Sequence, residues 1–110
     1  MKRSEIRRNV QQVVNQIVAV AHPVRIILFG SAVNGKFGPD SDLDFLIVVP
    51  DNLRPDAVAD SLNTGVRPRT VPCDFVVVTR SVLERQGQNP GLIYAEILER
   101  GKEVYVARKG

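Results

Sequence analysis

One cysteine, one histidine and no tryptophan occur in this chain of 110 residues. The lone Cys73 excludes an internal disulfide and a cysteine metal cage, and such scarcity fits a reducing, cytoplasmic setting. His22 has no second histidine to work with and reads as structural. No apolar run approaches the length of a membrane-spanning helix. The N-terminal segment MKRSEIRRNVQQVVNQIVAVA opens basic, but Gln11, Gln12, Asn15 and Gln16 interrupt its apolar stretch, so it does not read as a signal peptide. Repeats and low-complexity tracts are also missing. The length suits a single domain over 1–110, with nothing left for a second, substrate-binding one. Part of a substrate site is therefore expected from another chain.

No single sign of charge coats the sequence. Residues 1–36 hold six basic side chains and one acidic, residues 37–65 hold six aspartates against Arg54, and residues 66–110 hold eight basic and five acidic. A uniform basic coat would point to nucleic acid. An acidic middle between basic flanks points instead to a cation site that receives a polyanion.

Ile6, Val10, Val13, Val14, Ile17, Val18 and Ala21 recur at helical spacing and predict an amphipathic helix over 4–21, ended by His22-Pro23. VRIILF (24–29) reads as a strand, followed by a turn at Gly30-Ser31, a brief helical turn and a loop marked by Gly35, Gly38 and Pro39. LDFLIVV (43–49) is a second strand, residues 55–64 a helix with proline at its start, and 71–79 a third strand. Ser81 and Glu84 have capping-box spacing and predict the start of a short helix. A last helix over 90–101, closed by Gly101, and a strand over 102–107 complete the chain. Helices alternating with strands imply an α/β layer fold around a central sheet.

Two phosphate-handling patterns overlap in FGSAVNGKFGPDSDLDF (29–45). GSAVNGKF nearly matches a Walker A loop, but Phe37 stands where the metal-binding hydroxyl belongs. Gly38-Pro39 is then a poor opening for the long helix that should face the phosphates. The aspartates carry the stronger signal. Strand alternation puts Asp42, Asp44, Leu46 and Val48 on one face and Leu43, Phe45, Ile47 and Val49 on the other. Aspartate is disfavoured in strands, and an unpaired carboxylate beside such an apolar run is costly to bury. Asp74 enters the third strand in the same way, sharing a face with Val76 and Val78. If the strands are neighbours, three carboxylates meet at one sheet edge beside Gly30-Ser31, as oxygen ligands for hard divalent cations.

Gly30-Ser31, ten intervening residues and then Asp42-Leu43-Asp44 resemble the signature of the DNA polymerase β nucleotidyltransferase superfamily, and more narrowly the minimal nucleotidyltransferases. The closing IYAEILERGKEVY is similar too. The resemblance implies a palm-like α/β fold, with a central mixed sheet of about three to four strands packed against helices. It implies that Asp42, Asp44 and Asp74 bind two Mg²⁺ ions, and that Gly30 and Ser31 hold the outer phosphates of a nucleoside triphosphate, ATP by expectation. It also implies a small helical HEPN-type partner, a toxin that the protein silences by nucleotidylation. A non-catalytic antitoxin or nucleotide-binding module, and a small-molecule enzyme of the aminoglycoside-modifying kind, are the alternatives.

The chain departs from the pattern at Ala32 and Asn34, where many relatives carry arginines; Lys36 is the nearby replacement cation. The basic helix face of Lys2, Arg3, Arg7 and Arg8 is expected to dock a partner or another subunit, so a homo-oligomer is compatible. Tyr94, Tyr105 and Cys73 read as packing residues, and Arg67 and Arg69 as exposed loop charge.

Overall fold

The structure is a computed structural model describing residues 2–67 and 71–108. Helix α1 spans Arg3–Ala21 and buries Val10, Val13, Val14 and Ile17, the stripe that the helical period selects. His22 ends it in the left-handed conformation (φ 47°, ψ 56°), its N–H donating to the Val18 carbonyl at 3.0 Å. The histidine thus has a structural role as a helix stop.

Four strands follow, interleaved with short helices. They are β1 (Arg25–Phe29), β2 (Leu43–Val49), β3 (Cys73–Thr79) and β4 (Lys102–Val106). They form one mixed sheet in the order β3-β2-β1-β4, with β2 and β3 parallel and the other pairings antiparallel. Parallel neighbours need a crossover, and α3 (Pro55–Gly65) supplies it. On β4, Glu103 ion-pairs with Arg25 of β1.

The sheet buries both faces unequally. Leu43, Phe45, Ile47 and Val49 face α1 and α3, and the Phe45 and Phe75 rings pack there with centroids 6.1 Å apart. Leu46, Val48 and Val78 face Leu83 of α4 (Arg80–Gln86) and Ile97 of α5 (Ile93–Arg100). The alternation expected along β2 and β3 is therefore observed. Cys73 packs against the first core, as do Tyr105 and Phe37, and Tyr94 against the second. Burying each large side chain stabilises the fold by about 1.5–3 kcal/mol. Among the described residues, no helix is long and apolar enough to cross a membrane.

Three expectations need correction or fall away. Helix α4 starts at Arg80, and its N-cap is Thr79, whose hydroxyl accepts from the Val82 N–H at 3.4 Å. Ser81 does not cap: its N–H donates to the Asp51 carboxylate at 3.0 Å. Pairing of β3 with β2 out to Thr79 sets this boundary, ahead of the local capping box. Helix α5 starts at Ile93 rather than at residue 90, because the Asn89 side chain takes the Gly91 N–H and its carbonyl the Leu92 N–H. Arg69 and Pro68 lie outside the described residues. Thr79→Ala should cost about 0.5–1 kcal/mol, the lower part of the range for N-caps given the long bond, and Ser81→Ala less than about 0.5 kcal/mol. Urea unfolding of both variants checks the order.

Candidate active site

Strand β1 ends at Phe29, and the chain then turns through Gly30 (φ 77°, ψ −149°) into α2 (Ser31–Asn34). That backbone region is open almost only to glycine. A second reason also requires glycine here: a Cβ on Gly30 would fall inside the Asp44 carboxylate. The Gly30 carbonyl accepts from the N–H groups of Val33 and Asn34. Helix α2 is a single turn, closed by Gly35 (φ 82°) donating to the Ser31 carbonyl. Asn34 uses its side-chain oxygen to accept the Lys36 N–H at 3.1 Å. Lys36 is thus exposed on a loop, with no long helix after it, and Phe37 turns inward to the core. These positions rule out a Walker A loop.

The acids arrive on the next two strands. Ser41 closes the preceding loop by accepting the Gly38 N–H at 2.9 Å and donating its own N–H to the Gly38 carbonyl. Asp42 follows, exposed, and Asp44 is half-buried as the second residue of β2. In the sheet register Asp44 pairs with Phe29 on one side and with Asp74 on the other. Gly30, Asp44 and Asp74 therefore sit at one edge of the sheet, as the sequence reading required.

Electrostatics marks Asp44 out. Burial, then the charge of Asp74, then that of Asp42 hold its carboxyl above the usual carboxylate range. Among the described residues, no ion pair or side-chain hydrogen bond reaches any of the three acids. Asp51, at the opposite end of β2, makes a useful contrast. It is exposed, accepts the Ser81 N–H, and is held below the usual range by that bond. One carboxylate is favoured in its charged form by its surroundings and the other is disfavoured, which makes Asp44 the candidate functional carboxylate of the two.

Three oxygen-donor acids with uncompensated mutual repulsion match the chemistry of a hard divalent cation. Among the described residues, however, no three acid, histidine or cysteine side chains already stand as a ready-made metal-ligand set. Asp74 and Asp42 both lie within electrostatic reach of Asp44.

Gly30 also borders a cavity of about 200 Å³ between α2 and α5. Phe29 and Asn34 line it from the β1–α2 side, and Ile93, Glu96 and Arg100 from α5. Sequence reading had singled out none of these α5 residues. The available signal was a basic residue directly before the helix-ending Gly101, but only the tertiary packing brings it near Gly30.

A mixed sheet with a Gly-Ser turn after one strand and acids near the start of the next two is the arrangement that the resemblance in the sequence implies. The family model for the nucleotidyltransferase domain matches residues 5–107, and the chain belongs to that family. A crystal structure of a candidate nucleotidyltransferase from Sulfolobus solfataricus is similar in fold, with a TM-score of 0.65 at 14% identity, covering 98% of this chain and 86% of that one. No curated protein matches the chain significantly. The general activity, transfer of a nucleotidyl group, follows from the family, and the fold is consistent with a minimal nucleotidyltransferase.

Proposed function

We propose that the protein moves a nucleoside monophosphate from a nucleoside triphosphate, ATP in this reading, to a hydroxyl on a partner protein. The observation that carries the proposal is the Asp44 carboxyl, packed against Gly30, paired in register with Asp74 and raised by burial and by the charges of Asp74 and Asp42. Asp42, Asp44 and Asp74 would hold two Mg²⁺ ions, which when bound supply charge neutralisation at the α-phosphate and sharpen the attacking hydroxyl. Asp74, exposed beside Asp44 in the sheet register, would help to activate that hydroxyl by taking its proton. The acceptor oxygen then bonds to the α-phosphorus as the bond to the bridging oxygen breaks and pyrophosphate departs. Gly30 and Ser31 hold the outer phosphates.

A protein acceptor is supported by the apolar surface around α5. Leu92, Ile93 and Leu98 are exposed, Ile93 at 57%, and Ile93 lines the cavity beside Gly30. A small helical partner of the HEPN type, with this protein as its antitoxin, is the form that the family resemblance favours. The basic face of α1, where Lys2, Arg3, Arg7 and Arg8 are all exposed, is a second docking surface.

Intact-mass spectrometry of protein, partner, ATP and Mg²⁺ tests the reading. A partner heavier by one nucleoside monophosphate is expected, and that gain should vanish with Asp42→Asn. Ala32 and Asn34, uncharged beside the Gly-Ser turn, favour a second reading as a module that neutralises its partner by contact alone. A stable complex without added mass would establish that second reading.

A further inference from the structure

In the proposed function two Mg²⁺ ions would offset charge at the α-phosphate, but the outer phosphates extend past the acids toward Gly30 and call for a protein cation there. The residues after Ser31 do not provide it in the turn itself, since Ala32, Val33 and Asn34 are uncharged. Lys36 lies beyond α2, exposed, and does not line the cavity. Arg100 does.

The placement of Arg100 is fixed by the strand that also places Gly30. Helix α5 ends at Arg100, and Gly101 follows pressed against β1. A Cβ on Gly101 would stand 2.6 Å from Ile27 Cγ2 and 3.1 Å from the Leu28 carbonyl oxygen. Leu28 is two residues from Gly30, so both walls of the cavity are built on the end of β1. The cavity volume of about 200 Å³ is below the roughly 300–1,000 Å³ of sites that enclose a drug-sized ligand. It suits a part of a nucleotide rather than the whole. An arginine fork binds phosphate oxygens in pairs, with a geometry that lysine lacks.

We infer that Arg100 receives the outer phosphates of the nucleoside triphosphate, and that the cavity between α2 and α5 seats the phosphate tail. The assignment rests on the nucleotidyl-transfer reading above. Glu96 lies one helical turn before Arg100 on the same wall, so its carboxylate opposes the tail.

Calorimetric titration of the full chain with ATP–Mg²⁺ and with AMP–Mg²⁺ tests the assignment. Arg100→Gln should weaken ATP binding about 10- to 100-fold, the loss of a hydrogen bond to a charged group. AMP binding should change by less than about twofold, since AMP lacks the outer phosphates. Arg100→Lys should recover part of the loss, and Glu96→Gln should tighten ATP binding. Lys36→Ala should cost about fivefold at most, as an exposed charge contact does. Arg100 is exposed, and matching thermal melts confirm that its variants are folded. Unchanged ATP affinity in Arg100→Gln, or equal losses for ATP and AMP, overturns the assignment. So does weakened ATP binding in Glu96→Gln, which would make the cavity a seat for the base. ATP binding that is lost with Asp44→Asn yet kept with Arg100→Gln overturns this assignment alone. A wild-type chain that binds no nucleoside triphosphate overturns it together with the proposed function.

Discussion

Asp44→Asn is expected to reduce nucleotidyl transfer by about 10³-fold or more, since in the proposed reading the carboxylate would hold a metal ion that supplies several kcal/mol of charge stabilisation at the reacting phosphate. The same change should leave the fold as stable as before, or more stable, at neutral pH. The sign follows from the raised carboxyl of Asp44. A group whose folded pKa exceeds its unfolded value stabilises the fold fully below the unfolded value, here near 3.8, and that contribution is lost as pH rises through the folded value. Above that window the ionised Asp44 is a burden that asparagine does not carry. Melting curves of the two proteins should therefore agree at low pH and separate as pH rises through the Asp44 transition, with the variant higher. Added Mg²⁺ should raise the melting temperature of the wild type and leave the variant unmoved, because a ligand stabilises only the state that binds it. A variant that loses both activity and stability at neutral pH would make Asp44 an ordinary structural residue.

Gly30→Ala should damage stability and activity together. The glycine's backbone conformation is closed to alanine, at about 1–3 kcal/mol for such a position. Its new Cβ would also displace the Asp44 carboxylate. Misplacing a catalytic group by about 1 Å can cost 10²-fold in rate, so a loss of about that size is expected even where enough folded protein remains. Activity normalised to the folded fraction, read from circular dichroism, separates the two effects. Normalised activity near wild type would show that Asp44 does not depend on the open space at Gly30.

Much of this site was legible in the sequence because strand alternation is a local property. The face shared by Asp42, Asp44 and Leu46, and that shared by Asp74, Val76 and Val78, needed only a period of two. Their meeting needed the parallel register of β2 on β3, which the sequence raised only as a condition. Where tertiary pairing competed with local chemistry, local chemistry gave the wrong boundary. Ser81 and Glu84 have capping-box spacing, yet Thr79 caps α4 because β3 runs as far as β2 can pair with it. Arg100 was legible only as a basic residue before the helix-ending Gly101: its helical face is one of several possible ones until Gly101 packs against β1.

The parallel pairing of Asp44 with Asp74 also has a kinetic side. Antiparallel strands can be joined by a tight hairpin, but these two are separated by the whole α3 crossover. Contacts between residues so distant in sequence carry a large loop-closure cost and slow the search for the fold. Repulsion between the two carboxylates adds to that cost as they come together. If this pairing is still unformed when the chain crosses its folding barrier, a cation bridging the acids meets its ligands only afterwards. Such an ion would then act on the descent from the barrier, lengthening the lifetime of the folded chain while leaving its rate of formation almost untouched.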